Sequence, residues 1–193
     1  MISTPSIRGA LLVTATLLVA AGAAPGSTAS AADPLPAHLL DPKQVEPISA
    51  SQFVQLLEHR RGQVVLVNLW ATWCIPCVQE LPDLSLLQER YGDRGLQVIG
   101  VSFDDPSRLD TRVRPFFAEK APTLISYLQT EADQYTFVTP LDPDWVGAMP
   151  TSFFIDRAGK VAKSHAGRML YRDLEREVLR LLEQPAPDAG GGR

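Results

Sequence analysis

Residues 64–77 read VVLVNLWATWCIPC, an apolar run that leads directly into two cysteines three positions apart. The run has the length of a strand, and its unbroken apolar character predicts burial on both faces, as in a sheet covered by helices. Cys74 and Cys77 are the only cysteines of the chain, and they stand where the strand pattern gives way to a helix pattern. This placement predicts thiol-disulfide chemistry.

The start of the predicted helix gives the two cysteines different roles. There the first backbone N–H groups lack partners and the helix dipole is positive, so a thiolate on Cys74 is stabilised and its pKa is lowered. Cys74 is therefore predicted to attack a partner disulfide. Cys77, three residues later on the same helical face, is predicted to resolve the mixed disulfide that forms.

A structural disulfide and a metal site are the alternatives for the cysteine pair. The bond would close a four-residue loop, worth only about 2 kcal/mol compared with about 3 kcal/mol for a 15-residue loop. Structural zinc needs about four Cys or His ligands, and His38, His59 and His165 show no ligand spacing relative to Cys74. Handling of Cu(I) by two soft thiolates is a further alternative, in which His165 would have to approach Cys74. We expect no cofactor and no metal.

Composition and charge bound the class of protein. The 193 residues are 45% apolar, which is enough for one domain with a single substantial core. The formal net charge is −4, and no run of Lys or Arg exceeds the pair Arg60-Arg61. Nothing in this pattern resembles a nucleic-acid footprint, so nucleic-acid binding is not expected.

The N-terminus has the pattern of an export signal. Arg8 precedes a 15-residue apolar run at residues 10–24, and small residues follow up to Ala32. A bilayer span needs about 20 apolar residues, so residues 1–32 are predicted to be a signal peptide, with an uncleaved anchor as the alternative. Export to a periplasmic or other extracytoplasmic compartment exposes thiols to oxidation. A reductant would have to be recharged there, and a membrane thiol electron donor is the expected source.

Proline and glycine content predicts the boundaries of the domain. Residues 33–47 hold four prolines and are predicted to be an irregular lead-in. Residues 48–184 form the predicted domain, which opens with a short helix capped by Ser49 or Ser51. Residues 185–193, with three consecutive glycines, predict a disordered tail.

The periodicity of the domain predicts an α/β architecture. A helix at residues 75–91 joins two buried strands, at 64–70 and 96–102, and such a βαβ unit has parallel strands. Pro82 should kink or restart this helix. The further predicted elements are a helix at 107–120, a short strand at 124–128, a hairpin at 151–165 and a final helix that ends before Pro185.

The segment from Phe103 to Ala148 is far longer than the ~10–12 residues of a minimal crossover, which predicts an insertion. Within it, residues 129–147 have no clean period, and Trp145 looks exposed, with a packing role and a contact role both open. A surface that faces a partner is one interpretation of this insertion.

Two motifs and the order of elements resemble thioredoxin-fold proteins. WCIPC, at residues 73–77, lies at a strand-to-helix junction, and Met149-Pro150-Thr151 opens the later hairpin. WCIPCVQELP at residues 73–82, the export signal and FFIDRAG at residues 153–159 resemble more narrowly the TlpA/ResA/CcmG branch of extracytoplasmic thiol-disulfide oxidoreductases. The resemblance spans roughly residues 45–183. It implies an α/β, thioredoxin-like fold with a central mixed β-sheet flanked by helices and an insertion before a cis-Pro loop.

The resemblance also implies a substrate site around the cysteines. Pro150 is expected to be cis and to pack beside them, which leaves the Met149 backbone free to pair with an extended substrate segment. Trp73 is either a substrate contact or a packing residue. Ile75 and Pro76, which lie between the cysteines, are expected to tune the reduction potential.

Glu80 is the expected proton-transfer group. It follows Cys77 by three residues on the same helical face, where a carboxylate can accept or return the proton of Cys77 during exchange. Stabilisation of the helix N-terminus is the alternative role. Thioredoxins commonly carry a titratable Asp where this chain has Asn68, so the resemblance shifts proton transfer to Glu80. A nearby carboxylate also raises the pKa of a cysteine, which suits a reductant better than a strong oxidant.

Together these features predict an enzyme, an exported thiol-disulfide oxidoreductase. The expected reaction is the reduction of disulfides in exported proteins, and the resemblance makes apocytochrome c the expected substrate. Two alternatives stay open: an oxidase that donates a disulfide through the same residues, and a Cu(I)-handling metallochaperone.

Overall fold

Six strands form one mixed sheet in the computed structural model, which describes Met1 and residues 34–185 of the chain. The strands are β1 (Glu46–Ile48), β2 (Val64–Trp70), β3 (Leu96–Ser102), β4 (Ile125–Gln129), β5 (Thr151–Ile155) and β6 (Val161–Ala166). The helices are α1 (Ala50–His59), α2 (Ile75–Tyr91), α3 (Arg114–Lys120), α4 (Gln134–Val138) and α5 (Tyr171–Leu182). The order across the sheet is β1-β4-β3-β2-β5-β6. The predicted α/β architecture is confirmed.

Strand β2 lies inside the sheet and is buried along its whole length. It runs parallel to β3, with Trp70 opposite Ser102, and antiparallel to β5. Its side chains alternate between two core clusters: Leu66 and Trp70 belong to one, and Leu69 belongs to the other. A strand buried on both faces and a parallel βαβ unit are therefore confirmed.

Helices cover the two faces of the sheet. The cluster on one face joins β2 to α2, α3 and α5 through side chains such as Leu84, Phe117 and Val178. The cluster on the other face joins β2 to α1 and α4 through Phe53 and Phe137, whose ring centroids lie 5.1 Å apart. Packing in these two clusters therefore fixes the positions of β2 and of α2, the helix that follows it.

Helix α1 begins with a capping box. The Ser49 hydroxyl accepts a hydrogen bond from the Gln52 N–H, and the Gln52 side chain accepts one from the Ser49 N–H. Two N–H groups that the helix leaves unpaired are satisfied in this way. Of the two serines predicted as caps, Ser49 occupies the position.

Helix α2 contains Pro82 in its interior. A proline lacks the N–H that would bond one turn back, which is why the sequence predicts a kink or a restart here. The helix nevertheless runs without a break from Ile75 to Tyr91, and Gly92 follows it. The restart does not occur.

The helix predicted at residues 107–120 is divided into three parts. A 3-10 turn at Pro106–Arg108 and a π-helical turn at Leu109–Val113 precede α3. Pro115 accounts for the late start of α3, because in the first turn of a helix a missing N–H leaves no helical hydrogen bond unmade.

The segment predicted to be an irregular lead-in is part of the folded structure. Its last residues begin β1, an edge strand that pairs with β4 in parallel. Leu35 and Leu39 are buried in the core, and the Tyr127 hydroxyl donates a hydrogen bond to the Leu39 carbonyl. Residues 34–45 are irregular apart from a 3-10 turn at Ala37–Leu39, but their apolar side chains pack into the core rather than forming a separate arm.

Two predicted segments fall largely outside the part of the chain that the structure describes. They are the signal peptide, apart from Met1, and the C-terminal tail, apart from Pro185. Within residues 34–185, no helix combines the length and the apolar character that crossing a bilayer requires.

Replacing Ser49 with Ala should lower the free energy of unfolding by about 1 kcal/mol, the usual cost of losing an N-cap hydroxyl. Ser51→Ala is the matched control, because it removes only an exposed hydroxyl contact with Ser49 and keeps both bonds of the capping box, and it should change the value by less than about 0.5 kcal/mol. Urea unfolding followed by circular dichroism measures both variants. Equal losses would contradict the assignment of the cap to Ser49.

Candidate active site

The two cysteines lie at the junction between β2 and α2 and are joined by a disulfide. Cys74 is the N-cap residue of α2, and Cys77 belongs to its first turn. The Cys77 N–H donates a hydrogen bond to Cys74 Sγ over 3.4 Å. The predicted placement of Cys74 at a helix N-terminus is confirmed.

The two sulfur-bearing residues differ in their access to solvent. Cys74 is 6% exposed, and Cys77 is 0% exposed. Cys74 borders an open groove, here called the active-site groove, whereas Cys77 lies beneath it. A partner that enters the groove therefore meets Cys74 and not Cys77. The lining of the groove consists of Trp73, Cys74, Ile75, Pro76, Gln134, Gly147 and Met149.

The groove has two walls that come from distant parts of the sequence. One wall is the start of α2 with the residue before Cys74, where Trp73 is 62% exposed and Ile75 is also exposed. The other is the segment before β5, which contributes the half-buried Met149. The Met149–Pro150 peptide bond is cis, as the resemblance implied. The predicted substrate-binding residues Trp73 and Met149 are thus brought together at Cys74.

Trp145 anchors the segment that forms the second wall. The sequence predicted an exposed side chain, but Trp145 is only 8% exposed and its ring packs against Phe103 and Tyr135. Its Nε1 donates hydrogen bonds to the Ala148 carbonyl over 3.2 Å and to Thr151 Oγ1 over 3.1 Å. The expected exposure of Trp145 is wrong because the rings of Phe103 and Tyr135, which the fold brings to this segment, cover its side chain.

Glu80 is a fully buried carboxylate one turn after Cys77 on α2. Its Oε1 accepts a hydrogen bond from the Met169 N–H over 2.7 Å, and its Oε2 accepts one from Asn68 Nδ2 over 3.0 Å. Burial raises the pKa of Glu80 above its ordinary value, although the hydrogen bonds from Met169 and Asn68 oppose the shift. Burial therefore favours the protonated form of Glu80 one helical turn from Cys77.

A second buried carboxylate, Asp104, contacts the loop before Cys74, and the sequence patterns did not single it out. A signal was present, because parallel strands end at the same edge of a sheet. Trp70 and Ser102 are paired at the ends of β2 and β3. Thr72 and Asp104 each lie two residues beyond this pair, so the register alone places them side by side.

The structure gives the metal alternative no assembled ligand set within residues 34–185. No three His, Cys, Asp or Glu side chains of this part come together as a metal-binding group. His165 lies on β6, opposite Ser152 of β5.

The fold and the site together define a thioredoxin-like thiol-disulfide oxidoreductase. The defining features are a mixed sheet, a disulfide-bonded Cys-x-x-Cys at a strand-to-helix junction and a cis-proline loop that borders the same groove. The chain belongs to the AhpC/TSA family, which matches residues 32–164.

Known relatives agree with this class. Thioredoxin-like protein YneN of Bacillus subtilis (strain 168) is 31% identical over 130 residues, which cover 63% of this chain and 67% of the relative. Thiol-disulfide oxidoreductase ResA of Geobacillus thermodenitrificans is 33% identical over 125 residues, with the same two coverages. The resemblance stated from residues 73–82 and 153–159 is confirmed.

Solved structures give the same fold. A protein of Chlorobium tepidum described as thiol:disulfide interchange protein DsbE is 32% identical, with a TM-score of 0.54 over 65% of this chain and 84% of its own. A DsbF homologue of Corynebacterium diphtheriae is 23% identical, with a TM-score of 0.57 over 65% of this chain and 76% of its own. The first of these supports the class, and the second supports the fold alone.

Glu80 should make the disulfide-bonded protein lose stability as the pH rises. Its pKa in the folded state is raised above the ordinary value of 4.5, so the folded state binds this proton more tightly than the unfolded state. The free energy of unfolding therefore falls between the unfolded and the folded pKa. The free energy of unfolding of Glu80→Gln should therefore increase relative to that of the wild type as the pH rises from about 4 to about 8. The increase should be about 1.4 kcal/mol per unit of difference between the folded and unfolded pKa.

Urea unfolding of the oxidised form at several pH values measures this effect. Glu89→Gln is the matched control, because Glu89 is an exposed carboxylate on the same helix, and its stability should run parallel to that of the wild type. If the Glu80→Gln curve also runs parallel, the ionisation of Glu80 does not differ between the folded and unfolded states.

Proposed function

We propose that the protein is an exported reductase of protein disulfides. The observation that carries the proposal is the arrangement of the cysteine pair: Cys74 caps α2 and borders the active-site groove, while Cys77 is fully buried beneath it. A partner sulfur can approach Cys74 from the groove, and Cys77 is reachable only from Cys74. This difference in burial supports a reaction in which Cys74 attacks first and Cys77 second.

The exchange has two steps. In the reduced protein, the Cys74 thiolate attacks one sulfur of a partner disulfide; a Cys74–partner disulfide forms and the other partner sulfur leaves as a thiolate. Cys77 then loses its proton and attacks Cys74 Sγ, which forms the Cys74–Cys77 disulfide and releases the second partner sulfur. Two electrons pass to the partner, and its two sulfurs become thiols.

Glu80 is proposed to take the proton of Cys77 in the second step. It follows Cys77 by one helical turn, and burial raises its pKa towards the range in which a carboxylate can hold and return a proton. Asn68, which donates to Glu80, cannot titrate and leaves this task to the carboxylate. An ionised Glu80 also opposes a thiolate on Cys77, which favours the disulfide form and suits a reductant.

The groove is proposed to hold an extended substrate segment across Cys74. The Met149 backbone would pair with it beside Pro150, and the exposed ring of Trp73 would contact it from the other wall. Backbone pairing at such a site is compatible with many sequences. Ile75 and Pro76 would tune the reduction potential through the first turn of α2.

The compartment and the partners are part of the proposal. The apolar run at residues 10–24 supports export, with the protein either released or anchored through its N-terminus. In an oxidising compartment the reductant must be recharged, so a membrane thiol electron donor is proposed as the second partner. Apocytochrome c is the proposed substrate on the strength of the family resemblance.

Cys77→Ser should trap a partner on Cys74 as a stable mixed disulfide, because the resolving sulfur is gone. Cys74→Ser is the control, and it should trap none, because Cys77 is buried. Non-reducing electrophoresis of both variants after incubation with a disulfide-bonded exported protein measures the adducts. Adducts of equal yield on the two variants would contradict the assigned order of attack.

The reduction potential of the Cys74/Cys77 pair decides the direction of transfer. We expect a value near that of thioredoxin, about −270 mV, measured by equilibration with glutathione or dithiothreitol buffers. A value near about −120 mV would make the protein a disulfide donor, and the oxidase would replace the reductase as the proposed function.

A further inference from the structure

A buried carboxylate that the proposed exchange does not use lies behind the loop before Cys74. Asp104 is 3% exposed. Its Oδ2 accepts hydrogen bonds from the Thr72 N–H over 2.9 Å and from Ser102 Oγ over 2.8 Å. Its Oδ1 accepts one from Thr72 Oγ1 over 2.6 Å. Two of the three bonds bind the carboxylate to one residue, Thr72.

Thr72 is held from a second side by Arg112. The Arg112 Nε donates a hydrogen bond to Thr72 Oγ1 over 2.8 Å. The hydroxyl therefore donates to Asp104 and accepts from Arg112 at the same time, and Thr72 is itself buried. A hydroxyl with both functions satisfied by charged partners has one orientation, because rotation would break a charge-assisted bond. We call the side chains of Thr72, Asp104 and Arg112 the Thr72 clamp.

The clamp acts on the backbone that leads to the attacking sulfur. Thr72 lies two residues before Cys74, and the Cys74 N–H donates to the Ala71 carbonyl over 3.1 Å, which closes a tight turn around Thr72 and Trp73. The Thr72 backbone itself is bonded to Asp104. The direction of the chain at Cys74 is thus fixed from the end of β3, across the edge of the sheet.

We propose that Thr72 is a positioning residue that holds Cys74 at the N-terminus of α2 when the disulfide is open. The inference rests on the proposed function, in which Cys74 is the attacking thiolate. In the oxidised protein the bond to Cys77 already fixes Cys74. After reduction that covalent constraint is lost; the core keeps α2 on the sheet, and the clamp still restrains the backbone before Cys74, which keeps the sulfur at the N–H groups of the helix.

The proposal predicts an effect confined to the reduced form. A thiolate that leaves the helix N-terminus loses the stabilisation of the dipole and of the Cys77 N–H. Loss of the clamp should therefore move the pH midpoint of Cys74 alkylation upwards. It should also make the reduction potential more negative, because the reduced form alone is destabilised.

Thr72→Val and Thr72→Ser test the clamp directly. Valine has nearly the shape of threonine without the hydroxyl, whereas serine keeps the hydroxyl. In the reduced full-length protein, alkylation of Cys74 by iodoacetamide at neutral pH should be about fivefold slower in Thr72→Val and within about twofold of the wild type in Thr72→Ser. The reduction potential should shift only in Thr72→Val. Unchanged midpoints and potentials in a folded Thr72→Val protein would overturn the proposal.

A second pair of variants covers the case in which Thr72→Val does not fold, since it leaves Asp104 Oδ1 without its partner. Arg112 and Arg108 are both exposed arginines of the segment before α3, and only Arg112 bonds to Thr72. Arg112→Ala should slow alkylation of Cys74 about twofold, and Arg108→Ala should leave it unchanged. Equal rates in the two variants would count against the clamp.

The outcomes also separate this proposal from the function on which it rests. If wild-type Cys74 forms no mixed disulfide with any protein disulfide, the proposed function fails. If the wild type exchanges normally but the Thr72 and Arg112 variants match it in midpoint and potential, only the positioning role of Thr72 is lost.

Discussion

Burial of β2 on both faces is the constraint from which the active site follows. Seven consecutive residues of this strand are buried, and each large apolar side chain contributes about 1.5–3 kcal/mol by leaving water. The helix-terminus effect on a thiolate is about 1 kcal/mol or less at most sites. Burial of the core therefore contributes more free energy than the helix terminus does. It decides where β2 ends and where α2 begins, and hence where Cys74 lies. The weak interactions at the sulfur adjust a geometry that the core has already imposed.

Asp104 and Glu80, two buried carboxylates at this end of the sheet, are stabilised by different sets of hydrogen-bond donors. A buried charge needs partners, and Asp104 has three donors, from Thr72 and Ser102. Glu80 has two, from Met169 and Asn68, and burial still raises its pKa. Three donors from Thr72 and Ser102 suit the anchoring role proposed for Asp104. The raised pKa suits the proton transfer proposed for Glu80.

The sequence pattern predicted those elements that depend only on neighbouring residues in the chain. The continuous apolar run of β2, the helix after Cys74 and the hairpin around Gly159 could each be recognised within about ten residues of sequence. The edge strand β1 could not, because three residues become a strand only by pairing with β4, whose Tyr127 lies opposite Glu46. The exposure of Trp145 was mispredicted for a related reason: its hydrogen bonds are local, but the rings of Phe103 and Tyr135 that cover it come from segments that the fold brings together. Thr72 and Asp104 lie between these cases, since the parallel register of β2 and β3 would have paired them.

The small contribution of the disulfide to stability is what allows it to open and close. A bond that closes a four-residue loop restrains the unfolded chain by only about 2 kcal/mol. The buried side chains of α2, among them Leu81, Leu84 and Leu87, each contribute a similar amount. The packing of α2 on the sheet therefore does not depend on the disulfide, and the proposed attack of Cys77 on Cys74 can start from that packing. A disulfide that held the fold together would lose the geometry for the proposed resolution each time it opened, whereas here the core keeps α2 in place and the Thr72 clamp is proposed to refine the position of Cys74.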